Sequence, residues 1–147
     1  MEKTTYFWTI TQPKGNAYVM SVLFLLIGGI TVGIIFAMKG TTIAIKDGEV
    51  VIKTFLYGKK IPIENIDVDG IRAVNLNLDK EYNVSIRTNG IGLPNFLSGW
   101  AKLNNGNKAL VYLTDRNNVL LMPTKKYTLL FSMETPDEFI EKIKSAL

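Results

Sequence analysis

One run dictates most of what this chain is able to become. Residues 17–38, AYVMSVLFLLIGGITVGIIFAM, hold 22 residues with no charged side chain and only Ser21 and Thr31 as polar interruptions. A helix rising about 1.5 Å per residue and of this length matches a hydrocarbon core about 30 Å thick. A secretory leader has an apolar stretch of about 7–15 residues ending in a small-x-small site, whereas this run is longer and leaves through Ala37-Met38-Lys39-Gly40. The core helix of a soluble domain would carry a polar stripe, and the run has none. Residues 17–38 are therefore expected to form a single transmembrane helix.

The flanks give that helix a surface and a direction. Residues 1–16 form a short segment in which Tyr6, Phe7 and Trp8, with Tyr18 at the edge of the run, suit a headgroup-level aromatic belt, and Pro13 and Gly15 break the chain just before the helix. Lys3 and Lys14 precede the run; Lys39, Lys46, Lys53, Lys59 and Lys60 follow it. The excess of positive charge after the run predicts an N-terminus outside and a C-terminal body in the cytoplasm, at the cell membrane. Gly29, Gly33 and Ala37 fall on one helical face at small-xxx-small spacing, a face through which two copies can pair as a homodimer. Glycine is also frequent in membrane helices for other reasons.

Composition excludes much chemistry. The 147 residues contain no His and no Cys, which removes thiolate nucleophiles, disulfides, the imidazole base and every Cys/His zinc pattern. Paired carboxylates, Asp67 with Asp69 and Asp79 with Glu81, lack a full oxygen-ligand spacing and read as loop residues. Gly90, Gly92 and Gly99 stand in no strand, Gly-rich turn and helix context and form no phosphate loop. No catalytic set, metal or cofactor is implied, so the chain is expected to be non-enzymatic. A net charge of +4 with no run of five basic residues does not imply nucleic acid. It suits a body held near an anionic leaflet, where each nearby Lys or Arg is worth about 1 kcal/mol. Lys59-Lys60 and Lys125-Lys126 each lie in a turn and are candidate lipid-headgroup residues, against the plainer reading of solvated turn lysines.

After Gly40 the apolar pattern changes to alternation, the mark of half-buried strands. Ile43 and Ile45, a turn at Asp47-Gly48, then Val50 and Ile52 predict a hairpin. Pro62 between Ile61 and Ile63 predicts an edge strand. Val74, Leu76 and Leu78, a turn at Asp79-Lys80-Glu81, and Tyr82, Val84 and Ile86 predict a second hairpin. Strands follow at 100–103, 109–114, 119–122 and 127–131. Thr135-Pro136-Asp137-Glu138 has the form of a capping box with Pro at the first helical position. It predicts a helix over 136–147 with an apolar face of Phe139, Ile140, Ile143, Ala146 and Leu147. Only a few residues separate the apolar run from the first strand, so the body is expected to stay close to the bilayer.

The uncharged stretch Gly92 to Trp100, GLPNFLSGW, has two readings. Gly92 and Pro94 suit a bend from one sheet to another, with Leu93, Phe96, Leu97 and Trp100 plugging the space between sheets. Alternatively, Phe96 and Trp100 stay partly exposed and bind a partner peptide or the bilayer interface.

An antiparallel run of about seven strands, a sandwich or partly open barrel capped by a C-terminal helix, resembles the bacterial pleckstrin-homology-like domains. The residues that carry the likeness are Ile61-Pro-Ile-Glu-Asn-Ile66, the Gly92-Leu-Pro94 turn with Gly99, Val111-Tyr-Leu-Thr-Asp115, and Thr135-Pro-Asp-Glu-Phe-Ile140. The resemblance covers residues 41–147. It implies a binding module beside its membrane helix. It also implies a likeness to sublancin-type bacteriocin immunity proteins, which protect Gram-positive producers from a membrane-active peptide bacteriocin; the alternative is a membrane-tethered scaffold or assembly protein that binds another membrane protein or lipid headgroups. In eukaryotic relatives a basic loop between the first two strands holds phosphoinositides, whereas the corresponding turn here, Lys46-Asp47-Gly48-Glu49, is acidic on balance and does not suit inositol phosphate.

Overall fold

The computed structural model describes residues 17–39, 41–54 and 56–145. These fall into two compact units that part between Ile35 and Phe36. Helix α1, Ala17–Lys39, is 23 residues long, and from Tyr18 to Phe36 it buries nothing while being long and apolar enough to cross a membrane. The hydroxyl of Thr31 donates to the carbonyl of Ile27 at 2.8 Å, so this polar side chain is satisfied inside its own helix. The aromatics Tyr6, Phe7 and Trp8, the breakers Pro13 and Gly15, and Lys3 and Lys14 lie outside the described residues, as do Ala146 and Leu147.

The body contains nine strands among the described residues: β1 (Thr42–Lys46), β2 (Glu49–Lys53), β3 (Lys59–Pro62), β4 (Arg72–Val74), β5 (Val84–Leu93), β6 (Phe96–Leu103), β7 (Lys108–Leu113), β8 (Val119–Pro123) and β9 (Thr128–Ser132), followed by helix α2 (Pro136–Ser145). They form a three-stranded sheet, β1-β2-β3, and a six-stranded sheet, β4-β8-β9-β7-β6-β5, not closed into a barrel. The first hairpin follows from its turn. Asp47 and Gly48 take φ values of 51° and 74°, both left-handed as a two-residue hairpin turn demands, and Ile43 then faces Ile52 and Ile45 faces Val50. β3 is an edge strand ending at Pro62, where the missing N–H costs no ladder bond.

The large sheet is buried on both faces. On one face Leu110, Tyr112, Leu120, Met122, Leu129 and Phe131 meet Val50, Ile52 and Ile61 of the small sheet and Ile143 of α2. On the other, Ala109, Val111, Val119, Leu121 and Leu130 pack with Leu76, Ala101 and Leu103. Double-sided burial is why the central strands are continuous apolar runs instead of alternating ones. The hydroxyl of Thr135 meets the carboxylate of Glu138 at 3.4 Å across the start of α2, and Ile143 is fully buried while Phe139 and Ile140 pack on the same core.

Three expectations are corrected. The hairpin at Asp79-Lys80-Glu81 does not exist: Val74 ends β4 at one edge of the large sheet and Val84 begins β5 at the other. Residues 75–83 cross between the edges, burying Leu76 at 1 % exposure while Leu78 stays at 78 %. Second, the sheets are not wholly antiparallel, because β7 pairs parallel with β9, Ala109 with Thr128 through Tyr112 with Phe131. Ser132 stands at the crossing: its hydroxyl accepts from the N–H groups of Thr114 and Asp115 at 3.0 Å each and donates to the Asp115 carbonyl at 2.6 Å. The chain leaving β7 thus wraps around the end of β9 before β8 begins. Third, Gly92 to Trp100 is no bend between sheets: β5 and β6 pair Leu93 with Phe96 within one sheet, turning on Pro94 and a left-handed Asn95 at φ 59°.

Candidate functional site

Turn chemistry assembles a basic cleft out of two segments far apart in sequence. The segment before β3 is pinned by Tyr57, whose carbonyl accepts from the Tyr112 hydroxyl at 2.6 Å and whose own hydroxyl donates to Asn89 Oδ1 at 3.1 Å. β3 then opens with Lys59 and Lys60, both exposed. The β8–β9 turn is held by Thr124, whose hydroxyl donates to the Tyr127 carbonyl at 2.7 Å and accepts from the N–H of Tyr127 at 3.1 Å and of Lys126 at 3.3 Å. The two segments are joined by the N–H of Lys125 donating to the Asn65 carbonyl at 3.0 Å and that of Asp67 to the Pro123 carbonyl at 3.0 Å.

The result is a cleft of about 230 Å³ lined by Lys60, Asn65, Thr124, Lys125, Lys126 and Tyr127. An aromatic wall stands beside it. Trp100 sets its ring edge-on to Tyr127, with centroids 5.0 Å apart and planes at 81°. Lys108 Nζ lies 4.3 Å from the Trp100 ring centre and Lys59 Nζ 5.9 Å from it, contacts worth about 0.5–1 kcal/mol each when exposed. The only ion pair among the described residues is Lys46 with Asp47, at 3.8 Å, so none of these five lysines has a carboxylate partner there. Burial raises the Tyr127 phenol above its ordinary pKa, which keeps it a neutral hydrogen-bond donor.

Of the sequence-based candidates, Lys60 meets Lys125 and Lys126 in this cleft, and Lys59 stands on the adjoining Trp100. Lys108 joins them from the far end of the β6–β7 turn; a single lysine before an apolar strand gave no sequence signal. Phe96 and Trp100 do not share a site. Phe96 is 4 % exposed and floors a second cleft of about 310 Å³ at the β5–β6 tip, with Asn77, Leu93, Asn95, Asp115 and Arg116. The polar groups there mostly hold the turn. Asn118 N–H and Asn117 Nδ2 donate to Asp115 at 3.2 and 3.0 Å, and the backbone N–H groups of Arg116 and Asn117 lower the Asp115 pKa. Asn77 donates to Asn117 at 2.9 Å.

Two of the paired carboxylates hold turns. Asp67 and Asp79 accept from the N–H groups of Gly70 and Asn75 at 3.3 and 2.9 Å. Gly90 and Gly99 face each other across β5 and β6 with φ of 145° and 130°, and a Cβ on either would come within 2.3 Å of a backbone oxygen. Gly29 and Gly33 have open space where a Cβ would stand. The side chain of Ala37 lies outside the described residues.

A three-stranded and a six-stranded sheet around a common core, closed by a C-terminal helix, with its open chemistry on a cationic surface cleft, define a small β-domain built for contact. The Bacterial PH domain model matches residues 41–147, and the chain belongs to that family, whose members are generally non-catalytic binding modules. No curated protein and no solved structure matches the chain.

Proposed function

We propose that the chain is a single-pass membrane protein whose PH-like body is a non-enzymatic binding module working at the cytoplasmic face. The observation that carries this reading is the uncharged, wholly unburied stretch Tyr18–Phe36 beside a family-matched binding domain. The excess of lysine after the helix supports the cytoplasmic side. A cysteine introduced at exposed Lys102 and one introduced at Glu2, labelled in intact cells with a membrane-impermeant maleimide, test this. Labelling at residue 2 alone is expected; labelling at residue 102 before lysis would contradict it.

Within that reading we favour protection against a membrane-active peptide over general scaffolding. The second cleft supports it, since exposed Leu93, buried Phe96 and Arg116 offer an apolar floor and a guanidinium to an amphipathic peptide. Expression in a sensitive strain is expected to raise tolerance to at least one membrane-acting peptide antibiotic. Unchanged tolerance across a broad panel would overturn the protective role while leaving the anchored module intact.

A further inference from the structure

We propose that the cleft between β3 and the β8–β9 turn is a binding site for a phosphate group, supplied by an anionic lipid headgroup or by a soluble phosphate ester. The inference rests on reading the body as a binding module and names the ligand class of one of its sites. Lys60, Lys125 and Lys126 line one cleft of about 230 Å³, and Lys59 and Lys108 flank it on the Trp100 ring. None of them has an acidic partner among the described residues. An anion in the cleft would meet cationic side chains that no carboxylate already neutralises. Glu64, the acid nearest in sequence, does not line the cleft.

The cation type narrows the anion. A planar carboxylate is matched by the guanidinium fork of arginine, whereas ammonium groups are point charges with three donors each, suited to tetrahedral oxygens. The cleft is lined by lysines and no arginine. Asn65 and Tyr127, both side chains with neutral donors, are also among the residues of its wall. The β1–β2 turn is a poorer anion site, because Lys46 stands beside two acids, Asp47 and Glu49. The sequence separates Lys60 from Lys125 by more than sixty positions; the Lys125 to Asn65 backbone bond is what brings them together.

The test uses the full-length chain carrying Trp8→Phe, in nanodiscs of phosphatidylcholine, and follows the Trp100 indole N–H resonance by NMR. Inorganic phosphate and glycerol phosphate are titrated against chloride at equal ionic strength, and in a parallel arm phosphatidylglycerol replaces part of the phosphatidylcholine. A saturable shift with a phosphate probe and not with chloride is expected. A shift only in phosphatidylglycerol discs identifies a headgroup, and one with the soluble probes a free phosphate. Replacing Lys60, Lys125 and Lys126 together by Gln is expected to weaken the response about a hundred-fold. Lys125→Gln alone is expected to weaken it about five-fold. The pair Lys142→Gln and Lys144→Gln on α2 is expected to leave it unchanged. No saturable shift with any phosphate probe, or equal loss in the α2 pair, overturns the site. A chain that leaves the membrane yet still responds to soluble phosphate fails the anchoring reading alone.

Discussion

Helix α1 and the strands β7, β8 and β9 are all built on apolar runs, yet they meet opposite fates. Phe24 and Leu25 are 72 % and 77 % exposed, whereas Leu110, Leu120 and Leu129 are fully buried. The difference lies in how the apolar residues are delivered. The strands present them in runs of three to five, bounded by turns rich in Asn, Asp and Lys, so two faces of one short sheet can each be covered by protein. α1 carries 19 uncharged residues in succession, with none of that stretch buried in protein, the pattern that an apolar solvent on all sides would suit. Hydrophobicity alone does not choose between core and bilayer; uninterrupted length and the presence of a covering layer do.

That contrast can be broken most forcefully in the core. Leu110→Ala removes a side chain packed between the two sheets and is expected to cost about 2–5 kcal/mol, read from denaturant unfolding of the full chain in detergent. The same truncation at Leu25, on α1, is expected to leave the unfolding midpoint of the body unchanged. Equal losses would mean that α1 is part of the folded core. In the other direction, Ile27→Arg at the middle of α1 is expected to cost about 2.5–3.5 kcal/mol of membrane insertion, read as the fraction of chain recovered with membranes, while the body remains folded.

Tyr112 sharpens the comparison at lower energy. Its hydroxyl holds the Tyr57 carbonyl at 2.6 Å and its ring stacks on Phe131 at 4.9 Å. Tyr112→Phe is expected to cost about 1 kcal/mol in the same unfolding assay. Burial raises the pKa of Tyr112, reinforced by Tyr127 and Tyr57, and raises that of Tyr127. With folded values above the unfolded one, their contribution is complete below about pH 10 and falls as the pH rises through the folded values, because the unfolded phenols ionise first. Alkaline unfolding followed by tyrosinate absorbance is expected to begin near that pH, with Tyr112 ionising only as the fold opens. The smallest expected effect is at the glycine face: Gly29→Leu with Gly33→Leu is expected to reduce energy transfer between labelled copies in a bilayer, without altering the body.

Local signals carried well from sequence to structure, and pairings between distant segments carried poorly. Asp47-Gly48 fixed a hairpin, Pro62 an edge and Thr135-Pro136 a helix start because each acts on its own few residues. The alternation of Val74, Leu76 and Leu78 looks the same in a hairpin and in a crossover that buries one leucine, so the period could not tell them apart. The Pro94-Asn95 turn is a local signal of the same kind, since Pro sets φ and Asn tolerates the left-handed region, but it stands between glycines that suit a bend equally well. The lysine cleft was half legible. Its residues stood out as turn pairs, while their meeting depends on Lys125 N–H finding Asn65, and Lys108 announces itself only beside Trp100.

The central claim, a body fastened to the bilayer by one helix, is tested most directly by washing membranes from cells expressing the full-length chain with alkaline carbonate and then sedimenting them. The chain is expected to remain in the pellet and to be released only by detergent. Recovery of folded full-length chain in the carbonate supernatant would contradict the account.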